Sequence, residues 1–111
     1  MKLLVLLLVM GASTLRAQPE GLWQGYDGEW GHVARQVIAL ARTIPAEKYT
    51  WRPAPGIRSI SEVLMHIAIA KLGLLNATGV KTPADLTSAA LEKSVTAKPE
   101  VVSWLLAAKR P

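Results

Sequence analysis

Two side chains, Glu62 and His66, have the types and the spacing that could carry chemistry in this chain. They lie four residues apart, so in a helix they share one face, about one turn from each other. A neutral imidazole nitrogen is a common metal ligand, and a carboxylate one turn away could bind the same metal or orient the ring. No second histidine follows at a metal-binding spacing, so a flanking or core role for His66 with one hydrogen bond is the alternative.

Other chemistry-bearing features are sparse. The second histidine, His32, lies beside a predicted helix stripe, and we expect it to be partly exposed without a metal role. The chain has no cysteine, which excludes disulfides, thiolate nucleophiles and cysteine metal sites. Phosphate-binding glycine loops, His-Glu-x-x-His and nucleophile-elbow motifs do not occur. The net charge of +5 is not concentrated in a run, so we expect no nucleic-acid partner.

The start of a helix just before His66 fixes where that side chain lies. Ser59 and Glu62 form a capping box, in which each side chain bonds to the backbone N–H of the other residue. Two prolines upstream keep the chain extended and prevent an earlier start. We therefore predict a second helix over residues 60–75, with His66 one to two turns from its beginning.

Periodicity gives this second helix two apolar faces separated by a polar stripe. The predicted main core face consists of Ile60, Val63, Leu64, Ile67 and Leu74. The opposite face consists of Met65, Ile69 and Leu72, and the stripe contains Glu62, His66 and Gly73. A helix that is apolar on two sides is expected to be central in its domain or to lie at a subunit contact. Lys71 falls within the predicted core face without an explanation.

Two further helices complete the prediction. Large residues at steps of three and four predict a first helix over residues 29–43, extending back to residue 20 and ended by Pro45. Its predicted core stripe is Trp23, Tyr26, Trp30, Val33, Val37, Leu40 and Ile44. Residues 88–93 are predicted to form one or two helical turns, and a third helix begins near Pro99. In the loop before the second helix, the Trp51 side chain is predicted to be buried at the end of the bundle and to close it. The alternative is that the loop around Trp51 lines the mouth of a pocket.

The first 17 residues have the order of a secretory signal peptide. A basic start is followed by an apolar run over residues 3–12 and by small and polar residues up to Ala17. The run is shorter than the roughly 20 residues that span a bilayer. We expect cleavage after Ala17 or after Ser13, export to the periplasm or medium, and a single domain over residues 18–111. An uncleaved anchor is the alternative.

Residues 40–68, LARTIPAEKYTWRPAPGIRSISEVLMHIA, resemble the signature of the DinB-like family of bacterial four-helix bundles. In that pattern a helix ends in Ala and Ile-Pro, and a loop follows with an acidic residue, a lysine, a tyrosine and a Trp-Arg-Pro turn. A Ser-x-x-Glu helix start and a histidine come next. The resemblance is strong over residues 30–75 and weaker over residues 82–106.

The resemblance implies an all-α, up-down four-helix bundle with a divalent metal bound by three histidines. One of these, on the second helix, matches His66; the other two form a spaced pair on a fourth helix. Some relatives are thiol-dependent transferases or isomerases with zinc or nickel. The present sequence stops near the end of the third helix, so we expect an incomplete bundle lacking the fourth helix and its histidine pair.

Two functions follow as expectations. The first is an exported domain of divalent-metal-dependent, thiol transferase- or hydrolase-like ancestry, with zinc or nickel bound by His66. The alternative is a non-catalytic helical interaction domain, or a truncated product without metal. In both, a homodimer or another partner is expected to cover the open helical face, with no membrane span after signal removal.

Overall fold

A computed structural model of the chain describes residues 27–83 and 89–109, and every regular element in these ranges is helical. The elements are α1 (Asp27–Thr43), a 3₁₀ turn (Ala46–Lys48), α2 (Ile60–Ala77), α3 (Ala89–Ser94) and α4 (Lys98–Ala107). The predicted all-α class is thereby confirmed. The predicted signal peptide and the N-terminal part of the predicted first helix lie outside the described residues.

Helix α2 begins where the capping box places it. The Ser59 hydroxyl accepts a hydrogen bond from the backbone N–H of Glu62 at 3.3 Å, and the Glu62 Oε2 accepts from the Ser59 N–H at 2.7 Å. The helix ends two residues later than predicted, and Gly79 follows it with a φ of +87°. Glycine adopts this left-handed conformation without the Cβ clash that other residues incur, which makes it a common helix terminator.

The core lies around α4, which packs against both α1 and α2, while α3 packs against α2. Val101 and Leu105 of α4 are buried, at 0% and 3% exposure. The third helix predicted from Pro99 corresponds to α4, and the turns predicted over residues 88–93 correspond to α3. The proline lies in the first turn of α4, where its missing N–H leaves no helical hydrogen bond unmade.

The predicted main core face of α2 is wrong in part. Val63 and Leu74 are 44% and 53% exposed, whereas Met65 and Leu72, assigned to the opposite face, are almost completely buried. Leu64 is buried as predicted. The reason is that α2 has apolar residues around most of its circumference, so periodicity alone does not show which side receives α4.

The predicted stripe of α1 is also rotated from the observed one. Val33 and Leu40 are 46% and 57% exposed, and the buried positions are Ala34, Ile38 and Ala41. The prediction followed the large side chains, but alanines at the contact allow a neighbouring helix to approach closely. The buried side of α1 is therefore marked by its small residues as well as its large ones.

Side chains from elsewhere in the chain complete the C-terminal end of α1. Pro45 has no N–H to donate to the carbonyl of Ala41, and the Tyr49 hydroxyl donates to that carbonyl instead, at 2.5 Å. The Lys98 ammonium donates to the carbonyls of Arg42 and Ile44 at 2.6 and 2.7 Å. These bonds satisfy carbonyls that the helix itself leaves without partners, and they fix the α1–α2 loop against α4.

The prediction that Trp51 plugs the end of the bundle is wrong. Tyr49 is the buried aromatic residue of the loop, at 1% exposure, while Trp51 is 56% exposed. Trp51 lines an apolar pocket of about 350 Å³ together with Leu40, Ile57 and Val63. The pocket-mouth alternative therefore describes it better.

Lys71, which the sequence left unexplained, lies against an aromatic ring. Its ammonium is 5.0 Å from the ring centroid of Trp30 on α1, a distance at which a cation is attracted to the ring face. Burial lowers the pKa of Lys71, because desolvation disfavours the charged amine. The contact also shows that the C-terminal half of α2 lies beside the N-terminal half of α1.

Candidate functional site

The structure uses Glu62 to hold the start of α2 and does not pair it with His66. One carboxylate oxygen accepts from the Ser59 N–H, and the other accepts from Arg52 Nη2 at 3.2 Å. The backbone hydrogen bond from Ser59, followed by that from Arg52, lowers the pKa of Glu62. Arg52 also donates to the carbonyl of Ile57 at 2.6 Å. Glu62 thus joins the helix start to the preceding loop.

The carboxylate that contacts His66 is Glu92 of α3, which was not predicted from the sequence. His66 Nδ1 lies 3.0 Å from Glu92 Oε2, and Arg58 Nε donates to the other oxygen of the same carboxylate. Glu92 is 26 residues away in the chain, so no helical spacing could have paired it with His66. Its position in a predicted short helix was the one signal available.

The ionisation of Glu92 decides which ring nitrogen of His66 carries the proton. Partial burial by itself would raise the pKa of Glu92, but the hydrogen bonds from Arg58 and His66 outweigh burial and leave that pKa lowered. An ionised carboxylate only accepts hydrogen bonds, so Nδ1 must be the donor. In the neutral ring the lone pair then lies on Nε2. The His66 side chain is 54% exposed.

An open cleft of about 750 Å³ lies between the α1–α2 loop, the start of α2 and α3. Its charged lining residues are Arg52, Arg58, Glu62, Glu92 and Lys93. Two arginine–glutamate pairs hold much of this lining in place. The loop is also held by backbone bonds from the first turn of α2 to the carbonyls of Trp51 and Tyr49, at 3.1 and 2.8 Å.

The side chains around His66 can be compared with what a metal site requires. Within residues 27–83 and 89–109, no group of three or more histidine, cysteine or acidic side chains is arranged to hold a metal ion. His32 is exposed on α1 and belongs to no such group. His66 has a carboxylate partner in Glu92, but the described residues do not surround it with a set of side chains that fits a metal ion.

The sequence model of the DinB superfamily matches residues 29–109. The chain belongs to the DinB superfamily. The match confirms the family predicted from residues 40–68 and includes both His66 and Glu92. Comparisons with curated proteins and with solved structures returned no match.

Proposed function

We propose that this DinB-superfamily domain binds a divalent metal, zinc or nickel, with Nε2 of His66 as one protein ligand and Glu92 as the residue that orients the ring. The observation that supports this proposal is the contact between His66 Nδ1 and Glu92 Oε2. Metal-binding histidines usually donate their other ring N–H to a carboxylate or carbonyl, which fixes the tautomer and strengthens the ligand. Arg58 in turn positions Glu92.

A metal at this position needs further ligands, because one imidazole does not hold a catalytic ion at useful affinity. The described residues do not supply them, and we derive no catalytic step through a metal. When bound, such an ion supplies Lewis-acid or thiolate-binding chemistry. The proposed ancestral activity is thiol transferase- or hydrolase-like, and this chain's own part is the orientation of His66 beside the charged cleft.

The test is the zinc and nickel content and affinity of the purified chain. His66→Ala should abolish binding, and Glu92→Gln should weaken it by about 10–100-fold, the usual effect of losing an orienting carboxylate. The matched controls are His32→Ala and Glu47→Gln, which change the same residue types at exposed positions away from the cleft. Metal binding that survives His66→Ala would overturn the assignment of His66.

A second candidate function is a non-catalytic helical interaction domain. It is favoured by the number of large apolar side chains on the surface of the described residues, among them Leu40, Trp51, Ile57 and Leu74, each more than half exposed. Leu40, Trp51 and Ile57 also line one apolar pocket, and contiguous exposed apolar patches mark association surfaces. A defined oligomer that binds no metal would favour this function over the first.

Export is proposed from the sequence of residues 1–17 alone. The intact mass of the chain after expression in a bacterial host tests it. Loss of residues 1–17 from protein recovered in the periplasm would support export, and an uncleaved chain recovered from the cytoplasm would contradict it.

A further inference from the structure

The apolar pocket beside Trp51 has the size and the lining of a small-molecule site. Its volume is about 350 Å³, within the range of about 300–1,000 Å³ that is usual for ligand pockets. Most of its walls are aliphatic or aromatic, and they include Leu40, Ile44, Trp51, Ile57, Val63 and Leu64. Among the described residues, the polar side chains in this lining are those of Arg58 and Ser59. The Ser59 hydroxyl already bonds to the Glu62 N–H and the Ser61 hydroxyl, so Arg58 supplies the polar group available to a ligand.

The loop that forms one wall of this pocket is held in a fixed shape. The Ile57 N–H donates to the carbonyl of Ala54 at 3.2 Å, and Arg52 Nη1 donates to the carbonyl of Ile57 at 2.6 Å. Gly56, within this turn, has a φ of +80°, which glycine adopts without a Cβ clash. A wall that is already formed does not have to be ordered when a ligand binds, so less of the binding free energy is lost.

The apolar pocket and the charged cleft adjoin each other. Ile57, Arg58 and Val63 line both of them. A molecule that fills the pocket therefore has charged side chains within reach of one of its ends. Ligand sites commonly combine apolar walls with a few polar groups that fix the orientation of the ligand. This arrangement favours a ligand with an apolar body and a polar end.

The hydrogen-bonding groups that the cleft leaves available are mainly donors. Glu62 and Glu92 each use both carboxylate oxygens in bonds to protein groups. The Arg58 guanidinium has five N–H donors, of which only Nε–H is bonded within the described part of the chain, and its side chain is 52% exposed. Lys93 lines the cleft and makes no ion pair with another described residue. Three cationic side chains against two carboxylates also make the lining positive, so the polar end that fits is an anion.

We propose that the pocket and the cleft together bind a small amphiphilic carboxylate, with its apolar body against Trp51 and Val63 and its carboxylate on the Arg58 guanidinium. The terminal Nη groups of an arginine can hold a carboxylate by two parallel hydrogen bonds, which are stronger than bonds between neutral groups. Lys93 adds a second positive charge to the cleft. Medium-chain fatty acids and arylalkanoic acids have this chemistry. The inference goes beyond the proposed function and does not require a metal at His66.

The first test is calorimetric titration of the full chain, in excess EDTA, with three probes that share one alkyl chain. Octanoate should bind, and octanol should bind at least about 10-fold more weakly, because it lacks the charge-assisted hydrogen bonds. Octyltrimethylammonium should bind more weakly still. Octanol binding as tightly as octanoate, a preference for the cation, or no binding of octanoate up to about 5 mM would overturn the inference.

The second test uses variants that place the ligand in the structure. Arg58→Gln should weaken octanoate binding by about 10-fold or more and leave octanol binding nearly unchanged, whereas Arg42→Gln, at an exposed position of α1 outside both cavities, should bind as wild type. Val63→Glu puts a carboxylate into the shared wall and should abolish octanoate binding. Leu74→Glu makes a matched change at an exposed position of α2 away from both cavities and should not. Far-UV circular dichroism checks that the variants are folded.

The third test uses the fluorescence of Trp51, which is 56% exposed. Octanoate should shift the tryptophan emission to shorter wavelength, and Trp51→Phe should keep an aromatic wall and the binding but lose the shift. A shift that persists in Trp51→Phe, or wild-type affinity in Val63→Glu, would contradict the proposed position. Octanoate binding in EDTA would support this inference even if the chain takes up no zinc. Zinc binding by a chain that ignores octanoate would remove the inference and leave the metal proposal standing.

Discussion

Removing the hydroxyl of Tyr49 tests how the α1–α2 loop is held. Tyr49→Phe keeps the buried ring, which is 1% exposed, but removes the donor to the Ala41 carbonyl. Since Pro45 offers that carbonyl no N–H, the substitution leaves a buried acceptor without its partner. Such a loss costs about 1–3 kcal/mol, and for a domain of this size about 1 kcal/mol lowers Tm by roughly 4–8 °C.

Thermal unfolding followed by circular dichroism measures this cost, with Thr43→Val as the matched control. The Thr43 hydroxyl also donates to a helical carbonyl, that of Ala39, at 2.9 Å, but it does so at an exposed position. Water can replace that bond, so Thr43→Val should cost well under 1 kcal/mol. If Tyr49→Phe costs no more than Thr43→Val, the proposed role of Tyr49 is refuted.

The same pair of proteins has a predicted pH dependence. Burial raises the pKa of Tyr49 above its ordinary value of 10.0, so the folded chain retains the phenolic proton while the unfolded chain loses it. The stabilisation is therefore fully present below about pH 10 and decreases as the pH rises further. The difference in Tm between wild type and Tyr49→Phe should shrink above that pH, and a constant difference up to pH 11 would contradict the buried position.

Three further substitutions test the packing and the helix start. Leu64→Ala should lower the free energy of unfolding, measured in urea, by about 2–5 kcal/mol because this side chain is buried. His66→Ala should lower it by well under 1 kcal/mol, and equal losses for the two variants would make His66 a core residue. Glu62→Gln should lower the Tm at pH 7. Because the pKa of Glu62 is lowered in the folded state, this difference should disappear as the pH falls below the ordinary pKa of a glutamate; a difference that persists at about pH 2 would argue against the ion pair. Trp51→Ala should lower Tm by only a few degrees, since the ring is exposed, and a loss as large as that of Leu64→Ala would restore the bundle-plug role.

The sequence predicted local features well, because these depend on neighbours along the chain. The Ser59–Glu62 box involves residues three apart and correctly set the start of α2. Pro45 correctly predicted where α1 ends, since the helix stops at Thr43. The turns over residues 88–93 and the helix after Ala97 also followed from local composition.

Sequence periodicity failed where the choice of buried face depends on other helices. Val63 and Leu72 are both apolar and lie on different sides of α2, and only the position of α4 decides that Leu72 is buried. The same limit applies to the site. His66 was found from its own type and position, but Glu92 reaches it from α3 through tertiary packing that no spacing rule encodes.

The most direct test of the proposed site is the ¹⁵N spectrum of the two histidine rings with and without zinc. We predict that His66 in the metal-free chain is protonated on Nδ1 when neutral, and that zinc shifts its Nε2 resonance while His32 stays unchanged as an internal control. A proton on Nε2 of His66, or a spectrum that zinc leaves unaltered, would contradict a metal ligand oriented by Glu92.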